Sequence, residues 1–151
     1  MGRLEGKVCI VTGGGSRTEG MGTGRAAACL FAREGARVAV WDLNRDAAQF
    51  TVDLISKEGG KAAAYVCDVT DSAQVKSSVA AVLAAWGKID VLDNNIGIGG
   101  ADGRGTVVDA SEESWDKVMA VNVKSILLTG KHVIPAMAAN GGGSVINISS
   151  I

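Results

Sequence analysis

Apolar residues are concentrated in five short segments of the chain, each with the character of a β-strand. The segments are KVCIVT (7–12), ARVAVWD (36–42), KAAAYVCD (61–68), IDVLDNN (89–95) and SVINIS (144–149). The apolar residues of most segments run continuously rather than alternating with polar ones, which is typical of strands buried on both faces. Helical patterns separate the strands, and this rhythm predicts an α/β domain in which helices cover a parallel sheet.

The helix after the third strand is the clearest of these patterns. Asp71 is a favourable N-cap, and Gly87 is a natural end. Between them, five apolar residues fall on one face of a helix: Val75, Val79, Val82, Leu83 and Trp86. This spacing predicts that the face packs against the sheet.

Two further helices are predicted from their caps. Asn44 caps a helix to about Ser56, which the following glycines end. Ser111 caps a longer helix to about Ala139, which must accommodate Pro135 as a kink. No repeat or linker divides the 151 residues, so the sequence predicts a single domain.

Composition and charge exclude several classes of function. A net charge of −1, a pI near 5.8 and few aromatic residues argue against binding to nucleic acid. The apolar runs are far shorter than the roughly 20 residues that cross a bilayer. The amino terminus lacks the features of a signal peptide. We therefore expect a cytoplasmic protein with no membrane association.

The cysteines and the single histidine do not form a recognisable metal or disulfide motif. Cys9, Cys29 and Cys67 are an odd number, widely spaced and set among apolar residues, as expected of reduced thiols in the core. His132 lies in a helical stretch, where a packing or surface role is expected. We predict no metal site.

A glycine-rich turn, TGGGSRTEGMGTG, follows the first strand directly and opens a helix. Glycines at such a turn let the backbone approach a pyrophosphate, which the free amides and the positive end of the helix then bind. Asp42 ends the second strand, where a carboxylate can accept hydrogen bonds from both ribose hydroxyls of an adenosine. Together these features predict a dinucleotide site.

Six motifs in order give the chain a family resemblance. They are Thr12-Gly13 with a later Gly-x-Gly, Asp42, Asp68-Val69, Asn94-Asn95-Ile96-Gly97, Asn122 in VMAVNVKS, and Ser150 in SVINISS. Through them the sequence resembles the short-chain dehydrogenases/reductases. The resemblance implies a Rossmann-type, doubly wound parallel sheet with strand order 3-2-1-4-5-6-7. The chain would cover roughly the first three-fifths of it, so that the sheet is incomplete at the carboxyl end.

The glycine loop departs from the family pattern TGxxxGxG. The final glycine pair aligns best as Gly22-Thr23-Gly24, which leaves residues 17–21 as an insertion. A second register, Gly20-Met21-Gly22, lengthens the helix and fits less well.

The resemblance also implies the cofactor-binding residues and a preference for NAD. The expected residues are Gly13, Ser16, Gly22, Thr23, Gly24, Asp42, Leu43, Asp68, Val69, Asn95 and Gly97. Asp42 would repel the 2′-phosphate of NADP, whereas Arg17 and Arg45 would favour it. Ile96 stands where the family usually has alanine, which adds bulk near the cofactor.

For catalysis, the resemblance implies that Ser150 holds the substrate oxygen and that Asn122, in a distorted helix, anchors a water. The family's proton donor is the tyrosine of a Tyr-x-x-x-Lys pair shortly after that serine. The pair is absent from these 151 residues, and Tyr65, in the third strand, cannot replace it. We therefore expect the bare chain to be inactive.

The favoured function is an NAD-dependent oxidoreductase that acts on a small-molecule alcohol or carbonyl compound and forms a homo-oligomer when complete. Two alternatives stay open. One is a non-catalytic dinucleotide-binding or assembly module. The other is methyl transfer from S-adenosylmethionine, which does not account for Asn94-Asn95, Asn122 and Ser150 together. The strand at the carboxyl end is expected to be an apolar edge that self-associates, aggregates or pairs with a separate carboxyl-terminal segment.

Overall fold

The computed structural model describes residues 2–16, 20–99 and 106–149. Strands and helices alternate along most of this chain. In order, the elements are β1 (Val8–Thr12), α1 (Thr23–Arg33), β2 (Arg37–Asp42), α2 (Arg45–Lys57), β3 (Lys61–Val66), α3 (Ser72–Trp86), β4 (Val91–Asn94), α4 (Glu112–Met119), a π-helical turn (Ala120–Lys124), α5 (Ser125–Ala139) and β5 (Ser144–Asn147).

The five strands form one parallel sheet in the order β3-β2-β1-β4-β5. β1 is central and fully buried, as its unbroken apolar sequence predicts. One core cluster contains residues of α1 and α2, and the other contains residues of α3 and α5. Helices therefore pack on both faces of the sheet, which confirms the predicted doubly wound α/β fold.

The predicted caps and the predicted apolar face are present. The side chains of Asn44, Asp71 and Ser111 each accept hydrogen bonds from backbone amides in the first turn of α2, α3 and α4 respectively. Val75 and Val82 of α3 are completely buried in the core. The cap residues were sufficient to predict where these helices begin, because each capping side chain bonds to amides of its own helix.

The segment after Ser111 differs from the predicted continuous helix. It is divided by the π-helical turn at residues 120–124, whereas Pro135 lies inside α5. In a π-turn the backbone hydrogen bond spans one more residue than in an α-helix, so the turn bulges. The local residue pattern placed a distortion only at Pro135, whereas the family resemblance implied a distorted helix at Asn122, and the π-helical turn is found there.

Three strands are shorter than predicted by two or more residues. β3 ends at Val66 rather than at Asp68, β4 spans Val91–Asn94 rather than 89–95, and β5 ends at Asn147 rather than at residue 149. The chain turns at Asp68, whose Oδ1 accepts hydrogen bonds from the backbone amide and the hydroxyl of Thr70. The Asp68 amide donates to Gln74 Oε1 at 3.0 Å rather than across the sheet, so side-chain hydrogen bonds replace strand pairing there.

β5 lies at the edge of the described sheet with its side chains exposed. Val145, Ile146 and Ile148 are 41%, 38% and 48% exposed respectively. The apolar edge predicted from the sequence is therefore present among the described residues. Within those residues, no helix has the length and apolarity to cross a membrane.

The three cysteines are free and buried, as predicted. The His132 ring lies 2.9 Å from the Ser72 hydroxyl, which links α5 to the start of α3. Among the described residues, no group of three or more His, Cys, Asp or Glu side chains is placed to hold a metal ion.

Candidate functional site

A cavity of about 970 Å³ opens at the carboxyl ends of the central strands. All eleven residues predicted to bind the cofactor line it: Gly13, Ser16, Gly22, Thr23, Gly24, Asp42, Leu43, Asp68, Val69, Asn95 and Gly97. In open α/β sheets, ligands bind in this crevice. Ile96, predicted to add bulk near the cofactor, also lines the cavity, and the sequence prediction did not include the residues that complete the lining: Asn44, Cys67, Thr70, Ile98, Lys117 and Val121.

The glycine loop follows the favoured register. α1 begins at Thr23, with Gly22 as its N-cap, in agreement with the pair Gly22-Thr23-Gly24. A Cβ atom at Gly24 would lie 2.4 Å from the Gly13 carbonyl oxygen, so only glycine allows the helix to approach the loop this closely. Residues 17–19 of the inserted segment lie outside the described residues.

The amino terminus of α1 can receive an anion. Gly22 has no side chain to cap the helix, whereas α2, α3 and α4 are each capped by a side chain. The first amides of α1 therefore have no side-chain acceptor at the N-cap, and the positive end of the helix dipole lies at the cavity. This arrangement fits the pyrophosphate of a dinucleotide.

Asp42 is fixed in place by two backbone amides. Its Oδ2 accepts a hydrogen bond of 2.9 Å from Gly15, and its Oδ1 accepts one of 2.9 Å from Asn44. A carboxylate oxygen can accept more than one hydrogen bond, so both oxygens retain capacity for ligand hydroxyls. Leu43, beside it, is 65% exposed in the cavity wall.

Thr12 joins the end of β1 to the Asn94-Asn95-Ile96-Gly97 motif. Its buried hydroxyl accepts hydrogen bonds from the amides of Asn95 (3.1 Å) and Ile96 (3.3 Å). The Asn95 side chain in turn donates to the Thr23 hydroxyl at 3.3 Å. The motif, β1 and the start of α1 are therefore held together. The sequence prediction assigned no role to the Thr12 side chain.

The remaining side of the cavity is formed after β3. Val69, 3% exposed, belongs to the core below, while Asp68 is held by its bonds to Thr70. The predicted contacts of Asp68 and Val69 with an adenine stay a prediction, and the structure places both residues on the cavity wall.

Asn122 lies in the π-helical turn and pairs with Ile98. Its Oδ1 accepts from the Ile98 amide and its Nδ2 donates to the Ile98 carbonyl, both at 2.9 Å. These bonds explain why asparagine, a poor residue for a helix interior, is found there. They tie the cavity-lining loop to the helix. The predicted catalytic role of Asn122 stays a prediction.

Replacing Asn122 with Asp is expected to destabilise the protein by about 1 to 2 kcal/mol, because a carboxylate cannot donate to the Ile98 carbonyl and repels it. Urea unfolding at pH 7 measures this loss. The control is Lys124→Gln, an exposed position in the same turn. Equal stability of Asn122→Asp and wild type would contradict the proposed importance of the pair.

Ser150 lies outside the described residues. The strand that leads to it is joined to its neighbours by a series of side-chain hydrogen bonds through buried Thr129 and Asn94. The Thr129 hydroxyl donates to Asn94 Oδ1 at 2.8 Å, and Asn94 Nδ2 donates to Asn147 Oδ1 at 2.9 Å. These bonds fix the carboxyl ends of β4 and β5 against α5.

Sequence comparison identifies relatives over almost the entire chain. The family model described as enoyl-(acyl carrier protein) reductase matches residues 18–151. An uncharacterised oxidoreductase, YxbG, of Bacillus subtilis is 40% identical over 100% of this chain and 52% of its own. The 3-oxoacyl-[acyl-carrier-protein] reductase FabG of Thermotoga maritima is 40% identical over 99% of this chain and 57% of its own. The chain thus spans about half the length of these relatives.

Solved structures match equally well. A short-chain dehydrogenase/reductase from Burkholderia xenovorans has a TM-score of 0.95 and 40% identity, covering 99% of this chain and 58% of that one. NAD⁺-bound xylitol dehydrogenase has a TM-score of 0.90 and 34% identity (98% and 54% covered). A metagenomic short-chain oxidoreductase in complex with NADP has a TM-score of 0.88 and 34% identity (98% and 64% covered). The chain belongs to the short-chain dehydrogenase/reductase family.

Proposed function

We propose that this chain is the nucleotide-binding part of an NAD-dependent oxidoreductase that acts on an alcohol or carbonyl compound. The observation that carries the proposal is a single cavity that combines a glycine loop, a helix end without a side-chain cap, and an anchored carboxylate. When bound, the nicotinamide would accept or supply the hydride. Ser150 and Asn122 would orient the substrate oxygen and a water, as in the family.

Asp42 supports NAD over NADP. Its fixed carboxylate would accept hydrogen bonds from the adenosine ribose, and it would repel a 2′-phosphate by about 1 to 4 kcal/mol at effective dielectrics of 80 to 20. Arg45, a residue that could bind such a phosphate, begins α2 but is not part of the cavity lining. Solved relatives include one bound to NAD⁺ and one in complex with NADP, so the proposed preference for NAD rests on Asp42 alone.

A surface along α4, the π-turn and α5 supports the expected homo-oligomer. Trp115, Met119, Val123 and Leu127 follow one another at intervals of four residues and are 61%, 38%, 51% and 67% exposed. A continuous apolar stripe of this kind is typical of a protein interface. We propose a cytoplasmic homo-oligomer that takes a small-molecule substrate, and sedimentation of the protein tests the oligomeric state.

Calorimetric titration with NAD and NADP tests the cofactor assignment. The wild-type protein is expected to bind NAD more tightly. Asp42→Ala is expected to weaken NAD binding and to reduce or reverse the preference, because both the ribose acceptor and the repulsion are lost. Asp46→Asn is the matched control, since it removes a neighbouring charge from an exposed position in the first turn of α2. Tighter NADP binding by wild type would refute the assignment, as would a preference that ignores Asp42→Ala.

A further inference from the structure

Arg25 is a buried cation beneath the glycine loop. It is the third residue of α1 and is 2% exposed. A positive charge is unfavourable both in a protein interior and in the first turn of a helix, where the helix dipole is also positive. A lysine or arginine at such a place therefore needs strong compensating contacts. The groups that make these contacts indicate the role of the buried cation.

The guanidinium binds the backbone both before the inserted segment, at Gly15, and within it, at Gly20. One terminal nitrogen donates to the Gly15 carbonyl and the other donates to the Gly20 carbonyl, the latter at 2.6 Å. Nε donates to the Thr51 hydroxyl at 3.1 Å. The guanidinium carbon lies 4.6 Å from the centre of the Phe50 ring. The planar, five-donor shape of arginine suits this set of acceptors, whereas lysine lacks it.

Thr51 extends the same contact to a third loop carbonyl. Its completely buried hydroxyl donates to the Gly14 carbonyl at 2.8 Å while it accepts from Arg25. Two side chains, one on α1 and one on α2, thereby bind the carbonyls of Gly14, Gly15 and Gly20. We refer to Arg25 and Thr51 as the loop clasp.

The loop clasp also fixes where the loop amides point. In a trans peptide the N–H points opposite to the C=O of the same unit. The Gly14 carbonyl faces Thr51, and the next amide, that of Gly15, accordingly points the other way and donates to Asp42. By the same geometry, the Ser16 amide points away from Arg25. Ser16, which lines the cavity, has a φ of 66°, a left-handed conformation that a serine adopts only when it is held there.

We propose that Arg25 is a positioning residue for the dinucleotide. Through the loop clasp it turns the loop carbonyls inward, away from the cofactor phosphates, so that the Gly15 amide bonds to Asp42 and the Ser16 amide is directed toward the phosphates. This inference rests on the proposed function, because it requires that a pyrophosphate binds in the cavity. Arg25 itself, buried below the loop, acts through the backbone rather than by touching the substrate.

Binding and hydrogen exchange in Arg25→Lys and Thr51→Val test the proposal. Lysine retains the charge but cannot bridge the three acceptors, and valine retains the shape of threonine without the hydroxyl. Both variants are expected to bind NAD and ADP-ribose about 10- to 100-fold more weakly. Adenosine, which has no pyrophosphate, should lose little affinity. Amides of the described loop residues 13–16 and 20–24 should exchange faster, whereas those of β4 should not.

Two further variants serve as controls. Thr51→Ser keeps the hydroxyl and should retain NAD affinity. Arg33→Lys changes an arginine on the same helix whose guanidinium is exposed and pairs with Glu58 at 2.6 Å, and it should have no effect on NAD binding.

Specific results separate the failure of this inference from the failure of the proposed function. If wild type binds NAD and Arg25→Lys binds it equally well, the positioning role is overturned while the proposed function stands. An equal loss of NAD and adenosine binding, with faster exchange throughout the sheet, would show a purely structural role. If wild type binds neither NAD nor ADP-ribose, the proposed function falls and the inference falls with it.

Discussion

A polypeptide of these 151 residues is expected to bind NAD but to transfer hydride no faster than the uncatalysed background. General acid–base assistance contributes about 10²- to 10⁴-fold to such reactions. The family's acid is a tyrosine with a lowered pKa, and Tyr65 is the only tyrosine in the sequence. It lies in β3, and its ring packs edge-on against Trp86 with 6.5 Å between centroids. Burial raises the pKa of Tyr65, which is opposite to what the chemistry requires.

Adding a separate segment that carries the family's Tyr-x-x-x-Lys pair is expected to restore turnover. The exposed apolar edge at Val145, Ile146 and Ile148 offers the place where such a segment would pair with β5. NADH formation with a panel of alcohols, followed together with light scattering, measures activity and association at once. The same segment with Tyr replaced by Phe is the control, since it should bind equally and restore nothing.

Two results would contradict this expectation. Turnover by the 151-residue polypeptide alone would show that one of its own residues supplies the proton. A monomeric polypeptide that ignores the added segment would show that the edge of β5 is protected. The first result tests the identity of the proton donor, and the second tests whether the edge of β5 is accessible. Each result therefore has a separate explanation.

Features fixed by neighbouring residues were predictable from the sequence. The caps Asn44, Asp71 and Ser111 bond within their own helices, and the apolar face of α3 follows from helical spacing alone. The cavity lining was predictable for a different reason. The carboxyl ends of parallel strands meet at one edge, so Asp42, which ends β2, and Asn95, which follows β4, necessarily lie near the glycine loop.

The role of Arg25 depends on contacts that a linear pattern does not reveal. Thr51, its partner, is 26 residues away, and the two meet only because α1 packs beside α2. The sequence did contain one indication that Arg25 is buried. Arg25 lies three residues before Ala28 and four before Cys29, on the face of α1 that its small apolar residues predict to be buried. A cation on such a face indicates a buried set of acceptors.

The π-helical turn was implied by the family resemblance, which places the asparagine in a distorted helix, but the local residue pattern did not show it, for a similar reason. Asn122 stood out as an unfavourable helix residue, but its partner Ile98 lies 24 residues earlier, in a loop without regular structure. Only the folded chain shows that the side chain satisfies both backbone groups of Ile98. Pro135, by contrast, is a strong local signal that the tertiary structure accommodates inside α5.

Asp93 of β4 is expected to destabilise the protein at neutral pH. The residue is 2% exposed, and its Oδ1 has no hydrogen-bond partner among the described residues. Burial raises the pKa of Asp93 to about 6, from an ordinary value of 3.8. A difference of this size corresponds to about 3 kcal/mol, because each pKa unit is equivalent to about 1.4 kcal/mol. The folded state therefore favours the neutral acid and resists its ionisation.

The sign of the pH dependence follows from proton uptake. Between pH 3.8 and about 6 the folded state keeps the Asp93 proton while the unfolded state has lost it. Stability therefore falls as the pH rises through this range, and the penalty is constant above it.

Asp71 shows the opposite trend. Backbone hydrogen bonds from Gln74 and Ala73 lower the pKa of Asp71, and its stabilising contribution fades as the pH falls.

Urea unfolding of wild type, Asp93→Asn and Asp71→Asn across pH 4 to 8 tests both signs. Asp93→Asn is expected to be more stable than wild type by about 3 kcal/mol at pH 7, and by well under 1 kcal/mol at pH 4. Comparing each variant with wild type at the same pH cancels the titration of the other carboxyl groups. The free energy of unfolding of Asp71→Asn relative to that of wild type should instead rise toward low pH, since asparagine retains the cap without titrating. A gain from Asp93→Asn that is the same at every pH would show that the Asp93 carboxyl stays ionised in the fold, and a loss at pH 7 would show that its charge has a partner that stabilises it.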